Sequence, residues 1–144
     1  MLNFKPYYEK RYFVVKNGER MKEIKTDKAP LPLGPYSQAI ETESLIFISG
    51  QIGIDPKTSE MQEGIEEQTK QIFKNINAIL NAGELTFNKI VKTTIFLKNL
   101  NDFSTVNEIY SQHFSEPFPA RSCVEVANLP AGALIEIELI GALR

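Results

Sequence analysis

Apolar residues recur along this chain with two different periods, and the switches between them mark its elements. Strands show one side chain to each face in turn, so a half-buried strand alternates with period two. LIEIELIGAL at residues 134–143 does this, and IVKTTIFLK at 90–98 adds a β-branched run of the kind that fills pleated surfaces. LIFIS at 45–49 and ARSCVEVANL at 120–129 read as two more strands. From roughly Gly64 to Ala82 the period changes: Ile65, Ile72, Phe73, Ile76, Ile79 and Leu80 form one stripe of an amphipathic helix. Gly83 stands where a C-terminal cap belongs. A second helix, capped by Asn101-Asp102, carries Phe103, Val106, Ile109, Tyr110 and Phe114.

The remaining segments are short. KEIKT is a strand leading into the Pro- and Gly-dense turn APLPLGPY. SQAIETESLIFISG reads as a hairpin turning at 41–43, and QIGIDPKTSE as a loop with an Asp55-Pro56 turn. LPAGA joins the last two strands. The predicted order is β-β-β-α-β-α-β-β, an α+β domain spanning residues 21–144.

Two helices cover one face of a sheet of five to six strands, not both. A second face that only met water would be polar throughout. Here Ser122, Val124 and Val126 share one side of their strand, opposite Arg121, Cys123, Glu125 and Ala127. Ile135, Ile137 and Leu139 oppose Glu136, Glu138 and Ile140. The charged faces still contain Cys123, Ala127 and Ile140, so the uncovered face is partly apolar and predicts a partner subunit.

Residues 1–20 differ in character, being rich in Tyr, Phe, Lys and Arg without helical periodicity. Two readings stay open. Asn17-Gly18 is a hairpin signal between RYFVV and MKEI, which gives an extra edge hairpin. Alternatively Met21 is the natural start, since Gly18-Glu19-Arg20 can be encoded by a purine-rich ribosome-binding sequence.

With 144 residues, 42% apolar and 24% charged, the chain has the size and composition of one soluble domain. A net charge of −2 with scattered lysines argues against a general nucleic-acid binder. A single cysteine builds no internal disulfide and fits a reducing cytoplasmic compartment. No apolar run approaches a membrane span, and the start lacks the apolar core of a signal peptide.

Four groups could carry chemistry. Cys123 lacks an obvious base: the sole histidine, His113, is expected at a helix end facing solvent, so a small core-like cysteine is the better reading. Arg121 follows a proline-fixed turn, and its planar fork suits a carboxylate. An ion pair with Glu125, Glu136 or Glu138 is the competing explanation for it. Glu136 and Glu138 are either paired carboxylates for proton transfer or the wet side of an ordinary strand. The GPY turn and the SGQ strand end are either punctuation or, at Gly50, a place where backbone approaches a ligand closely. Metal-ligand clusters, a Walker loop and a dinucleotide fingerprint are all missing from the sequence.

Taken together, GPYSQAI, FISGQIGIDPKT, IVKTTIFLKNLNDFSTVNEIY, PFPARSCVEV and IEIELIGAL resemble, in order, the motifs of the RidA family, also called YjgF or L-PSP. The likeness covers Met21–Arg144, whereas the first twenty residues have no counterpart. It implies a chorismate-mutase-like fold with a mixed sheet and two helices on one face. It also implies a homotrimer around a central barrel-like core, with clefts between subunits. The implied activity, which needs no cofactor, is hydrolysis of 2-iminobutanoate and 2-iminopropanoate to 2-oxoacids and ammonia. By motif position the carboxylate-binding arginine falls on Arg121 and the water-orienting glutamate on Glu136. Cys123 contributes a backbone contact, and Tyr36, Ser49 and Gly50 line the cleft. The loop ANLPAGA departs from the common ARLPKD, with Asn128 and Ala131 in place of basic residues. Two rivals are RNA cleavage with translation inhibition, and a non-catalytic 2-oxoacid-binding or chaperone-like role.

Overall fold

The computed structural model describes residues 12–14, 18 and 20–144. Period-two segments become β2 (Arg20–Ile24), β3 (Ala39–Glu41), β4 (Leu45–Gln51), β7 (Ile90–Leu97), β8 (Ala120–Glu125) and β9 (Ile135–Ala142). Period-3.6 segments become α1 (Gly64–Ala82) and α2 (Phe103–Ser111). The remaining strands are β1 (Tyr12–Val14), which pairs antiparallel with β2, and the short β5 (Ile54–Asp55) and β6 (Glu60–Met61). Most of residues 1–20 lies outside the described residues; Gly18, within the connection to β2, has the positive φ of a tight turn.

One sheet runs β1-β2-β3-β4-β9-β7-β8, seven strands where five to six were expected, because β1 adds itself outside β2. Only β7 and β8 are parallel, joined through α2 as a parallel pair requires. Both helices lie on one face. Ile46 and Ile48 of β4, Ile95 and Leu97 of β7, and Ile135, Ile137 and Leu139 of β9 point at them and are almost fully buried. From α1 the stripe of Ile72, Phe73, Ile76, Ile79 and Leu80 meets these residues, and from α2 Val106, Ile109 and Tyr110 do. The other face stays open, with Phe47 and Val124 exposed on it.

One local reading is corrected and two are sharpened. The loop at 51–60 contains the β5–β6 hairpin, in which Asp55 Oδ1 accepts the Lys57 N–H (2.8 Å) and closes the turn. Gly83 is the C-cap of α1 as expected, and the left-handed residue follows it at Glu84 (φ 59). The Leu85 N–H reaches the Leu80 carbonyl and the Glu84 N–H reaches that of Asn81, completing a Schellman cap. A Cβ at Gly83 would come within 2.7 Å of Ile24 Cδ1, so a larger residue there would press on the end of that buried side chain. Asp102 occupies the α2 N-cap position as expected but makes no side-chain cap bond; Asn99 caps the preceding 3-10 turn, its side chain accepting the Asn101 N–H at 2.9 Å.

The α1 stripe also contains buried polar side chains, which period counting overlooked. Asn75 donates to the Ile54 carbonyl (2.9 Å), while Gln68 donates to the Gln62 carbonyl and accepts the Leu134 N–H. These amides tie down the segment that follows β4. A Cβ on Gly53 would lie 2.6 Å from Gln68 Cα, so the loop must be glycine to come this close.

Candidate active site

In β9 the alternation that buries Ile135, Ile137 and Leu139 sends Glu136 and Glu138 to the open face. Opposite them β4 carries a β-bulge: Ile48 pairs with Leu139 and Gln51 with Ile137, so three steps along β4 match two along β9. The extra residue lies at Ser49-Gly50. It brings Gly50 so close to Glu136 that a Cβ would sit 1.9 Å from Oε1. A side chain here would force the flexible end of Glu136 to move, so the glycine sets where that carboxylate can lie. Burial raises the Glu136 carboxyl pKa above its ordinary value, and the neighbouring Glu138 charge adds to the shift.

The GPY turn closes one side of this region. Tyr36 is 53% exposed, and its hydroxyl accepts the Leu33 N–H at 3.3 Å. Ser49 Oγ donates to the Ser37 carbonyl at 2.6 Å. Behind them Gln38, 1% exposed, acts as a clamp: its Nε2 donates to the carbonyls of Thr26 and Pro30, and its Oε1 accepts the Thr26 N–H. Leaving such a buried amide unpaired costs about 1–3 kcal/mol, so the clamp specifies the loop before the turn. Tyr36 and Gly50 border a pocket of about 390 Å³ whose far wall is apolar, from Leu31, Leu33, Ile52 and Ile54. On the open face, Tyr36, Ser49, Lys92, Thr94 and Glu138 line a second groove of about 590 Å³.

Arg121 lies elsewhere in the chain's architecture. In the parallel β7–β8 pair it is registered beside Thr93, which is buried beneath α2, so its side chain rises on the helix side of the sheet. One guanidinium N–H donates to Asn107 Oδ1 at 2.8 Å. The guanidinium carbon lies 4.7 Å from the Tyr110 ring centre and 5.4 Å from that of Phe103, both within cation–π range. The ion pairs among the described residues are Lys22–Glu41 and Lys70 with Glu66 and Glu67. Arg121 therefore has no carboxylate partner there, and the ion-pair explanation for it fails. Glu125 caps the start of the Leu100 turn instead, accepting the Leu100 N–H at 2.9 Å.

Within one chain the predicted residues thus form two groups. Tyr36, Ser49, Gly50 and Glu136 gather around the β4 bulge; Arg121 and Cys123 sit on the helix side of β8, the last strand of the sheet. Cys123 packs against the core, and burial pushes its thiol pKa up despite the opposing Arg121 charge. A raised thiol pKa lowers the thiolate fraction on which a cysteine nucleophile depends. His113 is not the solvent-facing residue expected: its ring stacks on Phe73 at 4.1 Å, and burial lowers its pKa. Among the described residues no three His, Cys, Asp or Glu side chains are grouped to hold a metal, and no helix is long and apolar enough to cross a membrane.

Sequence reasoning missed Asn107 and treated Tyr110 only as core. A signal was present: Phe103, Asn107 and Tyr110 share one helix face at i, i+4 and i+7, which sets an amide inside an apolar stripe. The ANLPAGA loop also regains a cation, because Lys98 Nζ bonds the Ala127 carbonyl and Asn128 Oδ1.

Comparison with known proteins bears on this arrangement. The family described as Endoribonuclease L-PSP matches residues 26–143. A RutC family protein of Pyrococcus horikoshii is 52% identical over 83% of this chain and 97% of its own length. The human 2-iminobutanoate/2-iminopropanoate deaminase is 50% identical over 81% of this chain and 86% of its own length. Among solved structures, E. coli TdcF with bound serine superposes with a TM-score of 0.81 at 40% identity, covering 85% of this chain and 99% of that one.

Proposed function

The chain belongs to the Endoribonuclease L-PSP family, and from that premise we propose that it hydrolyses small 2-imino acids, 2-iminobutanoate and 2-iminopropanoate, to 2-oxoacids and ammonia. The observation that carries this reading is the condition of Arg121. A guanidinium lying over two rings and bonded to one amide, with no carboxylate partner among the described residues, is prepared for an external anion. The second support is Glu136, whose raised pKa moves it toward the range useful for proton transfer near neutrality.

The chemistry then follows. Arg121 grips the substrate carboxylate and places positive charge beside the imine carbon. Glu136 takes a proton from water as the oxygen adds to that carbon and returns it to nitrogen, then carries the new hydroxyl's proton to nitrogen as well. The C–N bond breaks, ammonia leaves and the carbonyl forms, so one imine and one water become one oxoacid and one ammonia. Positioned proton transfer of this kind supplies about 10²–10⁴ in rate. That suffices for a small imine, which already hydrolyses in water. TdcF, a relative of the same fold, was solved with serine, which also carries an α-carboxylate.

Because Arg121 and Glu136 occupy opposite faces of one sheet, the reading requires a second copy to join them. The family resemblance suggests a homotrimer with three clefts between subunits. The outer edge of β8 is free to face another chain, and Phe103, Phe118 and Val124 are exposed around it. A single cysteine suits the reducing cytoplasm, where such substrates would be met.

The test couples a threonine dehydratase to semicarbazide trapping, with and without this protein. Faster 2-oxobutanoate release and less trapped imine are expected, and no change refutes the activity. Sedimentation at micromolar concentration checks the assembly: a monomer overturns the shared cleft.

A further inference from the structure

We infer that Tyr110 is a positioning residue for Arg121: its ring, tethered through its hydroxyl to Thr93, sets the plane in which the guanidinium meets the substrate carboxylate. The inference rests on the reading of Arg121 as the anion grip.

Thr93 and Arg121 are register partners on adjacent parallel strands, both directed toward α2. Tyr110 comes down from α2, and its hydroxyl lies 2.8 Å from Thr93 Oγ1 in the buried core. Packing does not explain this polar pair. A phenylalanine against a valine would occupy almost the same space, and replacing both members of a buried hydrogen bond by apolar groups is nearly neutral for stability. What the bond does is fix the depth and rotation of the ring. That ring then lies 4.7 Å from the guanidinium carbon, with Phe103 as a second, more distant surface.

A ring face attracts the flat cation but consumes none of its in-plane hydrogens. Asn107 takes one of the five, and no other described residue takes any. The remaining hydrogens project along the guanidinium plane, where a carboxylate can be held by two parallel bonds. Arginine's long side chain would otherwise sample many rotamers, and ordering it in advance removes that loss from the binding step. Tyr110 supplies this order without touching the ligand.

The test is calorimetric titration of the full-length protein, in its native assembly, with 2-oxobutanoate. Arg121→Lys is expected to abolish most binding. Tyr110→Leu should weaken it about 5- to 30-fold, the range of a desolvated cation–π contact. Tyr110→Phe and Thr93→Val, which keep volume and lose one hydroxyl each, should weaken it by smaller but equal factors. In the Arg121→Lys background Tyr110→Leu should add nothing. If Arg121→Lys binds like the parent protein, the anion-grip reading itself fails. If only Arg121→Lys loses binding, that reading stands and the Tyr110 inference fails. The inference also fails if Tyr110→Leu weakens binding equally in both backgrounds, since its role is then general packing. Should Tyr110→Leu not fold, the two hydroxyl variants decide, and parent-like affinity in both overturns the inference.

Discussion

On the helix side of the sheet Arg121 is held by an amide and two aromatic rings, every neighbour compatible with its charge. On the open side Glu136 rests against the Gly50 backbone, partly removed from water and two residues from another carboxylate, so its surroundings oppose its charge. The protein orders the cation and strains the ionisation of the acid. This is the division expected when one group must bind in a fixed pose and the other must exchange a proton. It also says where stability is given up: the Glu136 environment costs free energy that the Arg121 environment does not.

The contrast can be broken most strongly at Glu136. Glu136→Gln is expected to lower turnover about 10²–10⁴-fold, measured with freshly generated 2-iminobutanoate. It should also stabilise the protein at pH 7. A carboxyl with a raised folded-state pKa binds its proton more tightly folded than unfolded, so its burden is absent below the ordinary value of 4.5 and grows as pH rises through the folded pKa. Thermal melts should therefore separate the two proteins at pH 7 and converge in acid; coincident melts at both pH values would contradict the burial argument.

Gly50→Ala attacks the same half by geometry. The added methyl must displace the flexible end of Glu136 rather than backbone, so the fold should survive while turnover falls about 10²-fold, the scale of a misplaced catalytic group. A parent-like rate would mean that the carboxylate position is immaterial. Arg121→Lys keeps charge and loses the fork. The expected loss is about 10- to 100-fold in kcat/KM, the worth of one charged hydrogen bond. Full turnover would remove Arg121 from the mechanism. Cys123→Ala sharpens the comparison from below: a half-buried thiol with a raised pKa beside Arg121 should be dispensable, with turnover of the same order as the parent. A folded but inactive Cys123→Ala protein would make the thiol a nucleophile after all.

The elements were legible because their signals are local. Alternation in β9 and the α1 stripe each depend on residues a few positions apart, and β2, β3, β4, α1, β7, α2, β8 and β9 appear in the order those signals predict. The family motifs singled out Arg121 and Glu136. What the chain could not display is how the faces of different strands relate. Period two separates the sides of β8 and the sides of β9. Only the register through β7, with Arg121 beside Thr93 and Glu136 beside Phe96, shows that these two residues point apart. Asn107 was hidden for a related reason: a polar residue on an amphipathic helix reads as surface until the arginine beneath it is in place. Gly83 ends α1 as a glycine near a helix end suggests, but the left-handed conformation falls one residue later, at Glu84, which no local signal marks.

The extra residue in β4 has a consequence for the length of the chain itself. Ile48 and Gln51 both point to the helix side although an odd number of steps separates them, so the bulge acts as a frameshift in strand parity. Removing one residue between them would not merely shorten a strand. It would hand the buried side of Gln51 to solvent and carry the downstream loop, with its ties to Gln68 and Asn75, to the wrong face. The count of residues at this point thus matters to the fold as much as any side chain. A chimera joined across it keeps its pocket only when both parents contribute the same number.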